Sequence, residues 1–257
     1  MGRPNILVTD GIARTALAVV RSLGRAGYPV YVCASRGRSL AGASCYAVTQ
    51  REVPAPLRDP IDFADAIVGL VKEWNISIII PVSEEAMLAL LPAAERMPGV
   101  RIPFAPLDVF KRVADKGAVT EMAATLGIAV PEQVVMTKRD VRPSAVDRLG
   151  FPLVLKPARS VAGDGAERSK MGVSYANDRK ELVRQLDELP QQAFPLLVQR
   201  RIDGPGTGVF ILLWQGEVLA TFAHRRVREK PPSGGVSVLS ASIAPDGATL
   251  ERSVALL

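Results

Sequence analysis

The first 34 residues read as strand, helix, strand, and this order narrows the possible folds more than any other feature of the chain. The run "NILVTDG" is short, apolar and ends in turn residues. "IARTALAVVRSLGRAG" then repeats Ile12, Ala16, Val19, Val20 and Leu23 at helical spacing until Gly27 stops it. "YPVYVCAS" follows as a second strand. Two strands joined by a helix pair in parallel, with a right-handed crossover. The segments "DFADAIVGLVKEWN", "ISIIIPV", "SEEAMLALLPAAERM" and "VRIPF" continue the alternation, so residues 1–105 are expected to form a small doubly wound α/β domain.

A dinucleotide-binding version of such a domain needs G-x-G-x-x-G in its first turn, because pyrophosphate must meet bare backbone there. The turn here, "TDGIARTA", has one glycine, and the domain is read as Rossmann-like and structural. With 257 residues, 48% hydrophobic and 23% charged, two domains are the expected division. No apolar run approaches the ~20 residues of a membrane helix, and the start "MGRPNILVTDG" lacks the cationic-then-apolar order of a secretion signal. A cytoplasmic chain without membrane association is expected. Cys33 and Cys45 are the only cysteines and His224 the only histidine, which argues against a closed zinc site, a disulfide framework and any triad with more than one His. The net charge of +6 is spread along the chain with no basic tail, so nucleic acid is not an expected partner. The clusters "QRRI" and "HRRVREK" are either focused phosphate or carboxylate sites or solvated faces.

After "PFAPLDVF" the pattern changes. "KRVADKGAVTEMAATLG" predicts a helix, "VPEQVVM" and "FPLVLKP" strands, "SVAGDGAERSKMG" a polar loop, and "NDRKELVRQLDEL" a helix with Asn177 as N-cap. "PLLVQRRI", "VFILLW", "EVLATFAHRR" and "VSVLSASI" read as strands, the middle two joined at Gln215-Gly216, before a last helix in "DGATLERSVALL". Residues 106–257 are therefore expected to be an α+β domain. Lys156 ends the apolar run "FPLVLKP" beside the loop. A lysine there either neutralises phosphate oxygens while loop amides close over them, or runs its stem along the strand to water.

The order "DVFKRVADKGAVTEMAATLGIAVPEQVV", "GFPLVLKPARSVAGDG", "PLLVQRRIDG" resembles the ATP-grasp superfamily. "TDGIARTALAVVRSLGRAGYPVYV" and "IIIPVSEEAMLALL" look like the pre-ATP-grasp domain of the branch similar to carbamoyl phosphate synthase large chains and amino-acid ligases. The resemblance implies a pre-ATP-grasp domain at 1–105 and an ATP-grasp domain at 106–257, with a lid subdomain at about 128–198. It implies an ATP-dependent carboxylate-amine or ammonia ligase that works through an acyl phosphate, with small-molecule carboxylate and amine substrates. A non-catalytic nucleotide-binding module and a biotin-carboxylase-like component stay open as alternatives.

By position, Lys116 and Lys156 would reach the nucleotide phosphates, and Gly163 and Gly165 would let the loop approach the triphosphate. Backbone near Gln199, Arg200 and Ile202 would bind adenine, and Asp203 is the nearby carboxylate on the ribose side. In "FAHRRVREKPPSGGVSV", Arg226 would chelate the transferring phosphate, and Gly234 and Gly235 would admit substrate. The alternatives are Arg226 as a surface partner of Glu229, Lys116 as a solvated helix lysine, and His224 as an ordinary strand residue. The acidic and Asn ligands for magnesium are expected beyond Leu257, so this chain alone is expected to bind ATP without turnover. Apolar surface left uncovered by those strands would favour a homo-oligomer.

Overall fold

The computed structural model describes residues 2–139, 144–163, 168–231 and 235–257. Along the chain run β1 (Asn5–Val8), α1 (Arg14–Arg25), β2 (Val30–Ala34), β3 (Ala47–Glu52), α2 (Pro60–Glu73), β4 (Ile76–Ile80), α3 (Glu84–Leu90) and α4 (Leu107–Ala114). There follow α5 (Lys116–Thr125), β5 (Gln133–Met136), α6 (Ala145–Arg148), β6 (Leu153–Pro157), β7 (Val161–Ala162), β8 (Ser169–Lys170), β9 (Ser174–Ala176) and α7 (Arg179–Glu188). The last elements are β10 (Leu196–Arg200), β11 (Thr207–Trp214), β12 (Glu217–Lys230), β13 (Val236–Ile243) and α8 (Gly247–Ala255). The chain divides into two compact units, Met1–Asp115 with Pro157–Gly172 and Pro190–Phe194, and Lys116–Lys156 with Val173–Leu189 and Pro195–Leu257.

In the first unit a parallel sheet has the order β3-β2-β1-β4, and its strands β2, β1 and β4 feed core clusters on both faces. Strand side chains alternate between faces, and the core divides accordingly. Leu7, Cys33 and Ile79 point into a cluster with Phe63, Ile67 and Leu70 of α2 and Ala86 and Leu90 of α3. Ile6, Val8, Val30 and Val32 point the other way, against Ala16 and Val20 of α1. Double burial is why these strands read as continuous apolar runs. Burial, reinforced by the negative charge of Asp10, pushes the Cys33 thiol far above its ordinary range, so it acts as a core residue. The α/β alternation expected from the sequence is present, with two differences. "VRIPF" contributes only the bridge Arg101 to Ile78, and the edge strand β3 comes from the polar run "AVTQRE". An exposed edge strand carries no apolar signature to read.

The run "SVAGDGAERSKMG", residues 160–172, was expected to be a polar loop without apolar anchors. Instead β7 and β8 pair antiparallel, Val161 and Ala162 are buried, and Arg159 meets Asp115 at 3.5 Å. The helix expected across Asp115 is two helices, because that residue is extended (φ −85°, ψ 107°).

The second unit holds a sheet of order β5-β10-β6-β9 and an antiparallel meander β11-β12-β13. The meander turns at Gln215 (φ 53°) and Gly216 (φ 82°), two left-handed residues of the kind that match hairpin twist. The N-cap of α7 is Asp178 rather than Asn177. The Asp178 carboxylate accepts from the Glu181 amide at 2.8 Å, while Asn177 donates through its amide and side chain to the Glu181 carboxylate. The Asp178 carboxylate thus satisfies one orphan helix donor, and Glu181 holds the residue before the cap.

Ile67 is fully buried between α2 and the sheet. Ile67→Ala is expected to destabilise the first unit by about 2–5 kcal/mol, seen as a lower urea midpoint. A loss below about 1 kcal/mol would show that this core is not close-packed.

Candidate functional site

The alternation of β6 explains its terminal lysine. Leu153 and Leu155 point into the core, while Val154 and Lys156 share the opposite face and line a cavity of about 290 Å³. Tyr175, the register partner of Val154 on β9, lines it from one side. Gln199 of β10, Arg200, Ile202 and Asp203 line it from the strand that follows, and Glu229 of β12 contributes a carboxylate. Four residues singled out in the sequence, Lys156, Gln199, Arg200 and Ile202, thus meet in one cavity.

Lys156 is half-buried, and its pKa is lowered from 10.5, first by burial and second by the positive charge of Lys116. The positive charge of Lys116 disfavours the charged form of Lys156, which adds to the effect of burial. Lys116 opens α5, and a chain of hydrogen bonds ties it to the strand across the sheet. The Thr120 hydroxyl donates to the Lys116 carbonyl at 2.8 Å, Gln133 Nε2 donates to Thr120 Oγ1 at 2.9 Å, and Gln199 Nε2 donates to Gln133 Oε1 at 2.7 Å. Gln199 is buried, so its side chain serves this network. The Arg200 amide donates to the Glu132 carbonyl at 2.9 Å and the Arg201 amide to the Pro152 carbonyl at 3.1 Å. Ile202 is 69% exposed, and Asp203 pairs with Arg201 at 3.1 Å.

Arg226 donates to Glu229 Oε1 at 3.2 Å and to the Gly235 carbonyl at 3.2 Å, and the Gly235 amide donates to Glu229 Oε2 at 3.1 Å. The Gly235 amide and then Arg226 hold the Glu229 carboxyl below its ordinary pKa. At Gly235 the close backbone approach is to the chain itself, since a Cβ would lie 2.3 Å from the Lys230 carbonyl oxygen. Gly163 adopts φ +93°, a conformation that favours glycine, and belongs to the first unit. Gly165 and Gly234 lie outside the described residues. His224 packs its ring 5.2 Å from Phe210 on the meander.

Among the described residues no group of three or more His, Cys, Asp or Glu could hold a metal ion. The two carboxylates of the cavity, Asp203 and Glu229, are each engaged by an arginine. These residues therefore do not fit a magnesium cage. No helix among the described residues is long and apolar enough to cross a membrane. Tyr175, Gln133 and Thr120 were not singled out in the sequence. Strand register places Tyr175 and Gln133, and α5 carries Thr120 to Gln133.

The parallel α/β unit and the sheets of the second unit match the fold of ATP-grasp structures. No family model matches the chain. D-alanine–D-alanine ligase of Pseudomonas entomophila is 30% identical over 109 residues, 42% of this chain and 31% of that enzyme. The L-amino acid ligase of Bacillus licheniformis superposes on 100% of this chain and 60% of its own, with a TM-score of 0.71 and 17% identity. Biotin carboxylase of Campylobacter jejuni, solved as a β,γ-ATP complex, covers 99% of this chain and 58% of its own, with a TM-score of 0.72 and 16% identity. The chain spans less than a third of the length of the curated ligase it matches. These relatives are ATP-grasp ligases, and the fold of this chain is theirs.

Burial and Lys116 lower the Lys156 pKa, so between that lowered value and 10.5 the unfolded chain binds more protons than the folded one. Stability is expected to rise with pH across this window, and below it the folded state carries the cost of the charged group. Lys156→Met is accordingly expected to raise the melting temperature of the nucleotide-free protein at pH 7. A lower melting temperature would show that the ammonium is net stabilising where it sits.

Proposed function

We propose that this chain is the nucleotide-binding part of an ATP-dependent carboxylate-amine ligase, in which the γ-phosphoryl group passes to a carboxylate and an amine attacks the resulting acyl phosphate. The observation that carries the reading is the convergence of Lys156, its electrostatic neighbour Lys116 and the Gln199–Ile202 strand on one cavity. Lys156 meets the α and β phosphates and Lys116 adds a second ammonium, as expected where the ligand is a polyanion. The Arg200 and Arg201 amides are committed to the sheet, so we assign adenine recognition to the Arg200 carbonyl and the Ile202 amide, with the Ile202 side chain and Val154 on the ring faces. Backbone groups recognise adenine whatever the side chains, which accommodates "QRRI" at this strand.

Arg226 stands at the edge of this site through Glu229 and is assigned to the transferring phosphate. To act there it must exchange its bond with Glu229 for one with the ligand, and as an exposed pair that bond is weak. ATP is the nucleotide of this reading, and small carboxylates and amines are its substrates. The described residues do not fit magnesium, so no step is assigned to it.

Calorimetric titration with ATP tests the reading. The parent is expected to bind, and Lys156→Ala to weaken binding by about 1.5–3 kcal/mol, the range of a charge-assisted contact. Arg226→Ala is expected to leave ADP affinity within a factor of two while weakening ATP. Equal ATP affinity for Lys156→Ala and parent would remove the cavity from nucleotide binding.

A further inference from the structure

The first unit carries its own cavity, of about 450 Å³, at the carboxyl ends of the parallel strands. In the order β3-β2-β1-β4 the chain moves to one side of β1 for β2 and β3 and to the other for β4. Small molecules bind open α/β sheets at such a reversal. Asp10 and Ile12 follow β1, Ser35 follows β2, Val53 follows β3, and Ser83 and Glu85 follow β4, so all four strand ends contribute to the wall. Phe63 and Leu57 add apolar surface.

The two carboxylates of this cavity differ in how they are engaged. Asp10 holds a left-handed conformation (φ 56°), and its carboxylate accepts from the Ser83 hydroxyl at 3.0 Å and from the Ser83 and Val82 amides at 3.2 and 3.3 Å. It fixes the wall. The Glu85 side chain is only 10% exposed, and Lys170 Nζ of β8 lies 2.8 Å from its Oε1. Burial acts to raise the Glu85 pKa, but the hydrogen bond from Lys170, a backbone hydrogen bond, the charge of Lys170 and a hydrogen bond from Ser83 together outweigh it, and the carboxyl stays below its ordinary value. The pair is asymmetric. The Lys170 side chain is 67% exposed and loses little by returning to water, whereas a buried carboxylate requires a cation.

We propose that this cavity binds a small primary amine with an apolar body, its ammonium taking the place that Lys170 holds against Glu85 and its body lying on Leu57, Val53 and Phe63. Lys170 is then an internal stand-in for the ligand. Two carboxylates against one ammonium, with apolar walls, disfavour an anion and give a neutral isostere no compensation for the buried charge. The proposal is independent of nucleotide binding, because the amine is measured without it.

The test is titration of the full chain with isoamylamine and with isoamyl alcohol, at pH 7.5 and without nucleotide, for the parent, Lys170→Met and Glu85→Gln. Removing the competing ammonium is expected to tighten amine binding about tenfold in Lys170→Met, and Glu85→Gln to weaken it at least tenfold against the parent. The alcohol is expected to bind Lys170→Met at least tenfold more weakly than the amine. Should Glu85→Gln fail to fold by circular dichroism, the Lys170→Met comparison decides alone. Amine binding by Lys170→Met no tighter than by the parent, unchanged amine affinity in Glu85→Gln, or equal binding of alcohol and amine would each overturn the proposal.

Discussion

A half-buried ammonium at the end of an apolar strand is the constraint around which the second unit is arranged. Left alone, Lys156 would reach water or lose its proton, and its pKa is lowered accordingly. It is kept in place by neighbours rather than by a carboxylate. Leu153 and Leu155 anchor the strand in the core, and Val154 and Tyr175 wall the face on which the lysine stands. Lys116, a second cation, makes the site less comfortable still. The charge of Lys116 opposes the charged form of Lys156, and on the proposed reading a bound anion would offset that opposition. The relay from Gln199 through Gln133 and Thr120 to the Lys116 carbonyl is rigid, since each polar group in it is fixed by the next.

The legible part of this structure is the part with a period. Strands β1, β2, β4, β6 and β10 and the helices between them announce themselves because their apolar residues repeat at 2.0 or 3.6, and Lys156 stands out by interrupting one such run. The edge strand β3 is missing from the pattern because half of its environment is solvent. Asp178 replaces Asn177 as the cap of α7 because the two are chemically equivalent from sequence, and only the backbone angle at position 178 (φ −149°, ψ 177°) selects between them. Val161 and Ala162 are too short a pair to register beside so many polar neighbours, yet they anchor the segment taken for a plain loop.

The candidate site was legible in part, in neutral Gln199 and Ile202 as well as in charged Lys156 and Arg200, while Tyr175 on its wall was not. A lysine at a strand end and an arginine in a glycine-rich context have few explanations, so sequence alone could nominate Lys156 and Arg226. Tyr175 and Gln133 reach the site by register across strands distant in sequence, Val154 with Tyr175 and Gln199 with Gln133, and register follows from tertiary pairing. Gly235 shows the opposite hazard. Its position beside a substrate loop suggested access for a ligand, whereas the backbone that a Cβ would strike is that of Lys230.

The two cavities differ in sign, and the difference bears on the chemistry proposed. In the second unit cations dominate, with Lys156 on the wall, Lys116 coupled to it and both carboxylates tied to arginines, so the site favours a polyanion. In the first unit the wall carries Asp10 and Glu85 against the single ammonium of Lys170, and the balance favours a cation. On the proposed reading the reaction needs an anionic phosphoryl donor and a nucleophile that is cationic in solution. The nucleophile attacks only after losing a proton, and a carboxylate that binds the ammonium form is the group suited to hold it until then. Opposite cavity charges would keep each reactant from the other's site by electrostatic mismatch alone. That separation requires both walls to keep their charges, which the engagement of Glu85 by Lys170 and of Glu229 by Arg226 and the Gly235 amide maintains in the protein as it stands.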